Sequence, residues 1–237
     1  MLSNNEIGTM IDLKEIALLC QEHAAYIHSD TVQTMGYYPI DLTEAPVSFL
    51  SGAAHKFYGP KGVGFIYING DNIIKPYIDG GAQERNMRAG TENTYGIVGM
   101  AKALDLMVSN RAENEQQIRS LRTYLKGQLA TQFPEVDYNG DAENGHYKVL
   151  NLRFPAGAQT ELLLFNLDIA GISVSGGSAC SSGTDTGSHV IRTLRGDEDD
   201  AVNIRVSFSH RNTQVDVERF LAVLTKVLKR EEQGTKI

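Results

Sequence analysis

The segment Ser51-Gly-Ala-Ala-His-Lys-Phe-Tyr-Gly-Pro-Lys-Gly-Val-Gly-Phe65 places Lys56 shortly after an apolar run at residues 47–50. The apolar run predicts a strand, and the three glycines and one proline at positions 59–64 predict a turn after it. A lysine at a strand end, beside His55 and before a glycine-rich turn, is well placed to meet a ligand. The alternative is a strand–turn–strand hairpin in which Lys56 is only a surface charge.

Composition excludes several classes of function. The chain has 237 residues, of which 41% are hydrophobic and 22% charged, and its net charge is −7. This balance is typical of a globular protein, and an acidic chain is a poor candidate for binding nucleic acid. No apolar run approaches the roughly 20 residues needed to span a bilayer. The polar N-terminus and the two cysteines, Cys20 and Cys180, predict neither a signal peptide nor a disulfide scaffold, so we expect a cytoplasmic protein without a membrane partner.

The first part of the chain has the pattern of an α/β sheet. Asp12 and Glu15 form the capping box of a predicted helix, and strands are predicted at 26–30, 47–50 and 63–68. A further helix is expected to bury an apolar stripe made of Ile97, Ala101, Leu104 and Val108. The charged stretch at 111–115 is a plausible seam, so we expect a first domain at residues 1–110 and a second at 111–237.

The second part has the pattern of a smaller α+β domain. It opens with a helix whose predicted buried face carries Ile118, Leu121, Leu125 and Leu129. Strands are predicted at 147–154, 172–175 and 203–208, with helices at 161–170 and from Thr213 to about Lys229. The alternative is that 111–115 is only the exposed face of one continuous helical segment.

Four groups of polar residues need an explanation. They are Asn4-Asn5 at the start of the chain, Asp30 with Gln33 and His55-Lys56 at predicted strand ends, and the small-residue loop 176–183 that contains Cys180. A lysine amine can attach covalently to an aldehyde cofactor, and Lys56 is the candidate. Pyridoxal phosphate needs such a lysine and a carboxylate that keeps its pyridine nitrogen protonated, which Asp30 could supply. Gln33 could donate to the phenolic oxygen of the ring, and Cys180 is a nucleophile on a glycine-rich loop.

These residues belong to motifs that resemble the pyridoxal-phosphate-dependent cysteine desulfurases of the class V aminotransferase superfamily. The matching segments follow the family's order along essentially the whole chain: Asn4-Asn-Glu-Ile-Gly8, His28-Ser-Asp-Thr-Val-Gln33, Ala54-His-Lys-Phe-Tyr-Gly-Pro-Lys-Gly62, Arg88-Ala-Gly-Thr-Glu-Asn93, Gly177-Ser-Ala-Cys180 and Asn203-Ile-Arg-Val-Ser-Phe208. The resemblance implies the C-terminal part of a large type I aminotransferase-like domain followed by a smaller α+β domain.

The resemblance also implies a role for each matched residue around the cofactor. Lys56 would bind pyridoxal phosphate covalently and later move protons, and Asp30 would pair with the pyridine nitrogen. Gln33 and Asn5 would contact the ring oxygen and the substrate side of the ring. His55 would help to hold the phosphate. No metal site is implied.

Three further matched residues are assigned to the substrate, the sulfur and a second subunit. Arg205 would bind the carboxylate of L-cysteine, together with Asn5, and Cys180 would take the sulfur as a persulfide while alanine leaves. Thr91 would reach the cofactor phosphate of a neighbouring subunit, because the family shares its sites across a homodimer. A sulfur-acceptor protein, such as an iron–sulfur scaffold, would receive the persulfide sulfur for iron–sulfur cluster assembly or another sulfur-transfer pathway.

The chain departs from the family pattern at two places. Family members carry further chain before the Asn4 motif, with a phosphate-binding turn and a ring-stacking histidine, so we expect an N-terminally truncated chain that binds the cofactor weakly by itself. Ala53 stands where members commonly have a phosphate-binding serine. The alternatives are a catalytically incompetent fragment, or a selenocysteine lyase or aminotransferase with the same fold. A simple aminotransferase would not need the thiol of Cys180.

Overall fold

A three-stranded sheet lies at the centre of the first structural unit, Met1–Ser3 with Ile11–Arg111. The computed structural model of the protein describes residues 1–72, 74–176 and 188–228. The sheet has the order β1 (His28–Asp30), β2 (Phe49–Ala53), β3 (Gly64–Ile68). β1 and β2 are parallel, and β2 and β3 are antiparallel. The carboxyl ends of β1 and β2 therefore lie at the same edge of the sheet.

Local sequence signals account for the helices of this unit. Helix α1 (Leu13–Glu22) begins after Asp12, whose Oδ1 accepts a hydrogen bond of 2.9 Å from the Glu15 amide, as the sequence predicts. Its apolar face joins Val47 and Leu50 in one buried cluster. A single turn, α2 (Gln83–Asn86), and the longer α3 (Thr94–Ser109) complete the unit.

The buried face of α3 differs from the predicted one. Ile97 is 37% exposed, Val108 is 48% exposed and Ala101 is exposed as well, so the predicted stripe is wrong at these three positions. The fully buried residues are Gly96 and Met107. The cause is close packing by glycine, because a Cβ on Gly99 would lie 3.0 Å from the Cγ of Pro60. Apolar periodicity does not predict this face, because glycine has no side chain that contributes to the pattern.

The second unit comprises Asn4–Met10 and Ala112–Ile237, and it contains an antiparallel sheet. The strands are β4 (Asp137–Asn139), β5 (Val149–Phe154) and β6 (Val202–Ser207). The helices are α4 (Arg111–Gln132), α5 (Leu163–Ile169), α6 (His189–Arg195) and α7 (Gln214–Leu228). The predicted face of α4 is confirmed, since Ile118, Leu121, Leu125 and Leu129 are all buried.

Two local features of this unit bear on the site. The segment Asn4–Met10 groups with the second unit, although the sequence assigned it to residues 1–110. The strand predicted at 172–175 is not formed; Ser175 makes only an isolated bridge to Arg205. Gly171 ends α5 in the left-handed conformation, with φ at 74°, as expected for a glycine after a helix.

Candidate active site

Lys56 lies in a short 3-10 turn, Ala54–Phe57, that directly follows β2. Ala54 and Phe57 are fully buried, and they anchor the turn while Lys56 itself is half-buried. The Tyr37 hydroxyl donates a hydrogen bond of 3.2 Å to the Lys56 carbonyl oxygen. Among the described residues, no hydrogen bond or ion pair involves the Lys56 amine. The backbone of Lys56 is therefore fixed while its amine is available to a ligand.

Asp30 ends β1, the strand that runs parallel to β2, and lies opposite Ser51 in the register. Its Oδ1 accepts a hydrogen bond of 2.8 Å from the Val32 amide, which orients the half-buried carboxylate. Thr31 closes the strand end, because both its amide and its hydroxyl donate to the Ser51 carbonyl oxygen, at 3.0 and 2.8 Å. The structure therefore brings Asp30 and the start of the Lys56 turn to one edge of the first sheet.

The other residues predicted near the cofactor occupy different surroundings within the first unit. Gln33 is half-buried in the turn that follows β1, and His55 is exposed beside Lys56. Thr91 is exposed and lines a cavity of about 280 Å³, together with Gly62, Arg88 and other residues that precede α3.

In the second unit, the structure brings Arg205 and Asn5 together. Arg205 Nη1 donates a hydrogen bond of 2.7 Å to the Asn5 carbonyl oxygen. Arg205 lies on β6, opposite Asn151 of β5, and its half-buried side chain has a buried Nε without a hydrogen-bond partner. Burial lowers the pKa of the Arg205 guanidinium from its ordinary value, and the negative charge of Glu6 opposes that shift. The Arg205 guanidinium is therefore held in place by Asn5, and its Nε can still donate a hydrogen bond to a ligand.

The segment that leads to Cys180 begins at a backbone bridge on Arg205. The Arg205 amide donates to the Ser175 carbonyl oxygen at 2.7 Å, and the Ser175 amide donates back at 3.3 Å. Ser175 precedes Cys180 by five positions in the sequence, and Cys180 lies outside the described residues. These two hydrogen bonds therefore hold Ser175, five positions before Cys180, against β6.

Sequence reasoning missed two residues that shape these sites. Tyr37 holds the Lys56 backbone through its hydroxyl group. It stands in a turn-rich stretch, and its position in the sequence does not predict this contact. Glu6 is 1% exposed, although it stands in a polar segment that reads as a surface turn. The only sequence signal for Glu6 is its place inside the Asn4–Gly8 motif.

The donor set of the first unit fits pyridoxal phosphate at its ring and aldehyde. An available amine at Lys56 and an oriented carboxylate at Asp30 lie at the carboxyl ends of neighbouring parallel strands, where ligands of such sheets commonly bind. These two groups match the aldehyde and the pyridine nitrogen of the cofactor. The phosphate has weaker support, because Ala53 carries no hydroxyl group and His55 is exposed.

Known proteins resemble this chain over nearly its whole length. The aminotransferase class-V family model matches residues 1–220. A putative cysteine desulfurase IscS 1 from Bacillus subtilis (strain 168) is 42% identical over 232 residues, which are 97% of this chain and 61% of the relative. A cysteine desulfurase IscS from Clostridium botulinum (strain Hall) is 41% identical over 235 residues, with coverages of 98% and 59%.

Solved structures show the same relationship. A NifS-like protein from Rickettsia africae superposes with a TM-score of 0.85 at 30% identity, covering 96% of this chain and 60% of the other. A second NifS-like protein gives a TM-score of 0.86 at 32% identity, with coverages of 97% and 60%. The chain spans 59–61% of the length of the two desulfurase relatives. The family match over residues 1–220 shows that the chain belongs to the class V aminotransferases.

Proposed function

We propose that this chain carries the cysteine desulfurase reaction, in which L-cysteine becomes L-alanine and its sulfur is transferred to Cys180. The observation that carries the proposal is the placement of Asp30 as the last residue of β1 and of Lys56 in the turn that follows the neighbouring parallel strand β2. The desulfurase relatives, at 41–42% identity, support the choice of reaction within the family. Arg205 supports an amino-acid substrate, since a guanidinium recognises a carboxylate through paired hydrogen bonds.

Each residue would contribute one physical function. Pyridoxal phosphate, when bound, supplies an electron sink for bond cleavage in the amino acid. Lys56 would hold the cofactor and then move protons with its amine, and Asp30 would keep the pyridine nitrogen protonated. Gln33 and Asn5 would orient the ring and the substrate, and His55 would assist at the phosphate.

The sulfur transfer needs no external oxidant, because the substrate carbon keeps the electron pair of the bond that breaks. The Cys180 thiolate attacks the sulfur of L-cysteine, so that a sulfur–sulfur bond forms and the Cβ–sulfur bond breaks. The electron pair of the broken bond stays with the carbon, which takes up a proton and leaves as L-alanine. The persulfide on Cys180 is then available to a sulfur-acceptor protein, such as an iron–sulfur scaffold.

The surface of the first unit supports a homodimer. Tyr77 and Tyr95 are 99% and 91% exposed, and exposed aromatic groups are typical of protein interfaces. Thr91 lies in the same region of sequence and would reach the cofactor phosphate of the partner subunit.

A thiol that must stay reduced favours the cytoplasm as the place of this chemistry. None of the helices in 1–72, 74–176 and 188–228 combines the length and the apolar character needed to cross a membrane.

The attachment of the cofactor is tested by trapping it on the chain. The protein is mixed with pyridoxal phosphate, reduced with borohydride and digested, and the modified lysine is identified by mass spectrometry. We expect the label on Lys56, and its loss together with the visible absorbance in Lys56→Ala. Lys75→Ala removes an exposed lysine of the same unit and serves as the control. Labelling of other lysines with Lys56 unmodified would contradict the proposal.

A further inference from the structure

A row of polar side chains crosses one face of the second sheet. Asn139 of β4 lies opposite Asn151 of β5, and Asn151 lies opposite Arg205 of β6. Residues that are directly opposite one another share one face of a sheet. Asn139 and Asn151 are only 2% and 1% exposed. Because a buried amide is costly unless it is hydrogen-bonded, the partners of these two amides indicate what the row does.

The segment Asn4–Met10 is attached to this row through two successive backbone carbonyl groups. Asn151 Nδ2 donates a hydrogen bond of 3.2 Å to the Glu6 carbonyl oxygen. Arg205 Nη1 donates a hydrogen bond of 2.7 Å to the Asn5 carbonyl oxygen. Both bonds use the backbone of the segment, so neither occupies the side-chain amide of Asn5. The row therefore holds the backbone on which Asn5 is carried.

The hydrogen bonds of the row run in one direction. Arg195 of α6 donates from Nε to Asn139 Oδ1 at 2.9 Å. Asn139 Nδ2 donates in turn to Asn151 Oδ1 at 2.9 Å and to Asn203 Oδ1 at 2.6 Å. A guanidinium only donates and a carbonyl oxygen only accepts, so the two amides between Arg195 and the Glu6 carbonyl point the same way. Asn151 therefore presents its NH2 group to Glu6 because Asn139 presents its own to Asn151.

We propose that Asn139 and Asn151 are positioning residues that hold the turn at residues 4–8, so that Asn5 stays beside Arg205 where the carboxylate of an amino acid binds. The part of this inference that names the ligand rests on the proposed function, whereas the attachment of the turn to the row does not. Asn139 and Asn151 themselves touch neither substrate nor cofactor in this account.

A substitution that does not touch the turn tests the proposal. Asn139→Asp keeps the size of the side chain and can still accept the hydrogen bond from Arg195, but a carboxylate has no NH2 group to donate. The Asn151 amide should then reverse to donate to this carboxylate, which would bring its Oδ1 against the Glu6 carbonyl oxygen. We therefore expect the turn to loosen although none of its own atoms has been changed.

Amide hydrogen exchange in the full chain, followed by NMR, measures this effect without any ligand. The Glu6 and Ile7 amides donate to Asn4 Oδ1 at 2.9 and 3.1 Å, so their exchange with water reports on the turn. In Asn139→Asp we expect this exchange to become roughly tenfold faster, as for the loss of one buried hydrogen bond. The amide of Leu125, buried on α4 of the same unit, should exchange at an unchanged rate.

A second variant and a matched control complete the test. Arg195→Met removes the donor at the start of the row from a side chain that is 30% exposed, so this variant should fold and loosen the turn about threefold. Gln116→Glu makes the same amide-to-carboxylate change at an exposed position of α4 and should alter neither rate. Unchanged exchange in the turn, or an equal acceleration at Leu125, would overturn the inference.

Steady-state alanine formation from L-cysteine separates the inference from the proposed function. We expect KM for L-cysteine to rise roughly tenfold in Asn139→Asp, with a smaller change in kcat, because Asn5 and Arg205 would bind the substrate carboxylate. If the unchanged protein forms no alanine, the proposed function fails, and the exchange rates still decide whether the row holds the turn. Faster exchange with an unchanged KM would show that the turn is held for another purpose than binding the substrate.

Discussion

Arg205 donates a hydrogen bond of 2.7 Å to the carbonyl oxygen of Asn5, a residue 200 positions earlier in the chain. The sequence assigned both residues to substrate binding through separate motifs, and the fold places them in contact within the second unit. The contact uses the backbone of Asn5, so its side-chain amide is not consumed by this bond. Arg205 is thereby positioned by chain geometry before any ligand binds.

Arg205→Lys should weaken substrate binding more than it lowers turnover. A lysine keeps the charge but cannot form paired hydrogen bonds with a carboxylate, so we expect KM for L-cysteine to rise about tenfold. Steady-state alanine formation measures the effect. Arg211→Lys changes an exposed arginine after β6 and is the matched control. An unchanged KM in Arg205→Lys would remove this residue from the substrate site.

Asp30→Asn should separate the structural role of this residue from its chemical role. The amide oxygen of an asparagine can still accept the hydrogen bond from Val32, so the strand end should stay folded. The loss of charge should lower turnover on the order of 100-fold, because the pyridine nitrogen loses its counter-charge. Asp71→Asn, at an exposed aspartate of the same unit, should have no such effect. Full turnover in Asp30→Asn, measured with circular dichroism as a folding check, would contradict the assignment.

The sequence predicted correctly those elements whose structure depends on residues only a few positions apart. The Asp12 cap and the buried face of α4 were predicted because a capping side chain and a run of large apolar residues act over a few positions. The motif residues Asp30 and Lys56 were likewise placed at strand ends from their local context, and the structure brings those ends to one sheet edge.

Features that depend on distant partners could not be predicted in this way. The buried face of α3 follows from Gly99 lying close to Pro60, a contact that no periodicity in α3 encodes. Residues 172–175 have strand-like composition, yet only Ser175 finds a partner, through an isolated bridge to Arg205 on β6. Burial of Glu6 depends on a sheet that begins more than a hundred residues later in the chain.

Gly64→Ala should destabilise the edge of the first sheet that leads to the Lys56 turn. A Cβ on Gly64 would lie 2.5 Å from the Gly52 carbonyl oxygen, so the antiparallel pair of β2 and β3 would have to move apart. We expect a loss of about 1–3 kcal/mol in the free energy of unfolding, measured with urea. Gly70→Ala adds the same methyl group where nothing lies within 4 Å and should change stability little. Equal stability of the two variants would show that the strands tolerate the Cβ.

The ion pair between Arg153 and Asp199 should make the second unit sensitive to acid. Arg153 donates to Asp199 through Nη2 at 2.5 Å and Nε at 3.3 Å, and these hydrogen bonds lower the pKa of Asp199 from its ordinary value. The stabilisation is therefore complete above the unfolded-state pKa of about 3.9 and is lost as pH falls through the lower folded-state value.

Asp199→Asn should reduce this acid dependence and cost roughly 1 kcal/mol of stability at neutral pH. Urea unfolding followed from about pH 7 down to about pH 3 measures both effects. The neighbouring Asp200 is exposed, and Asp200→Asn serves as the control. An Asp199→Asn variant with the acid dependence of the unchanged protein would show that the pair does not contribute.

The most direct test of the account is the site at which sulfur from L-cysteine appears on the chain. The protein is incubated with L-cysteine at saturating pyridoxal phosphate, and each cysteine-containing peptide is analysed by mass spectrometry together with the alanine released. We predict one added sulfur atom on Cys180, none on Cys20, and alanine formation that requires Lys56. Cys180→Ser should abolish the persulfide while the cofactor remains attached. Sulfur on Cys20, alanine without a persulfide on Cys180, or no reaction at all would contradict the account.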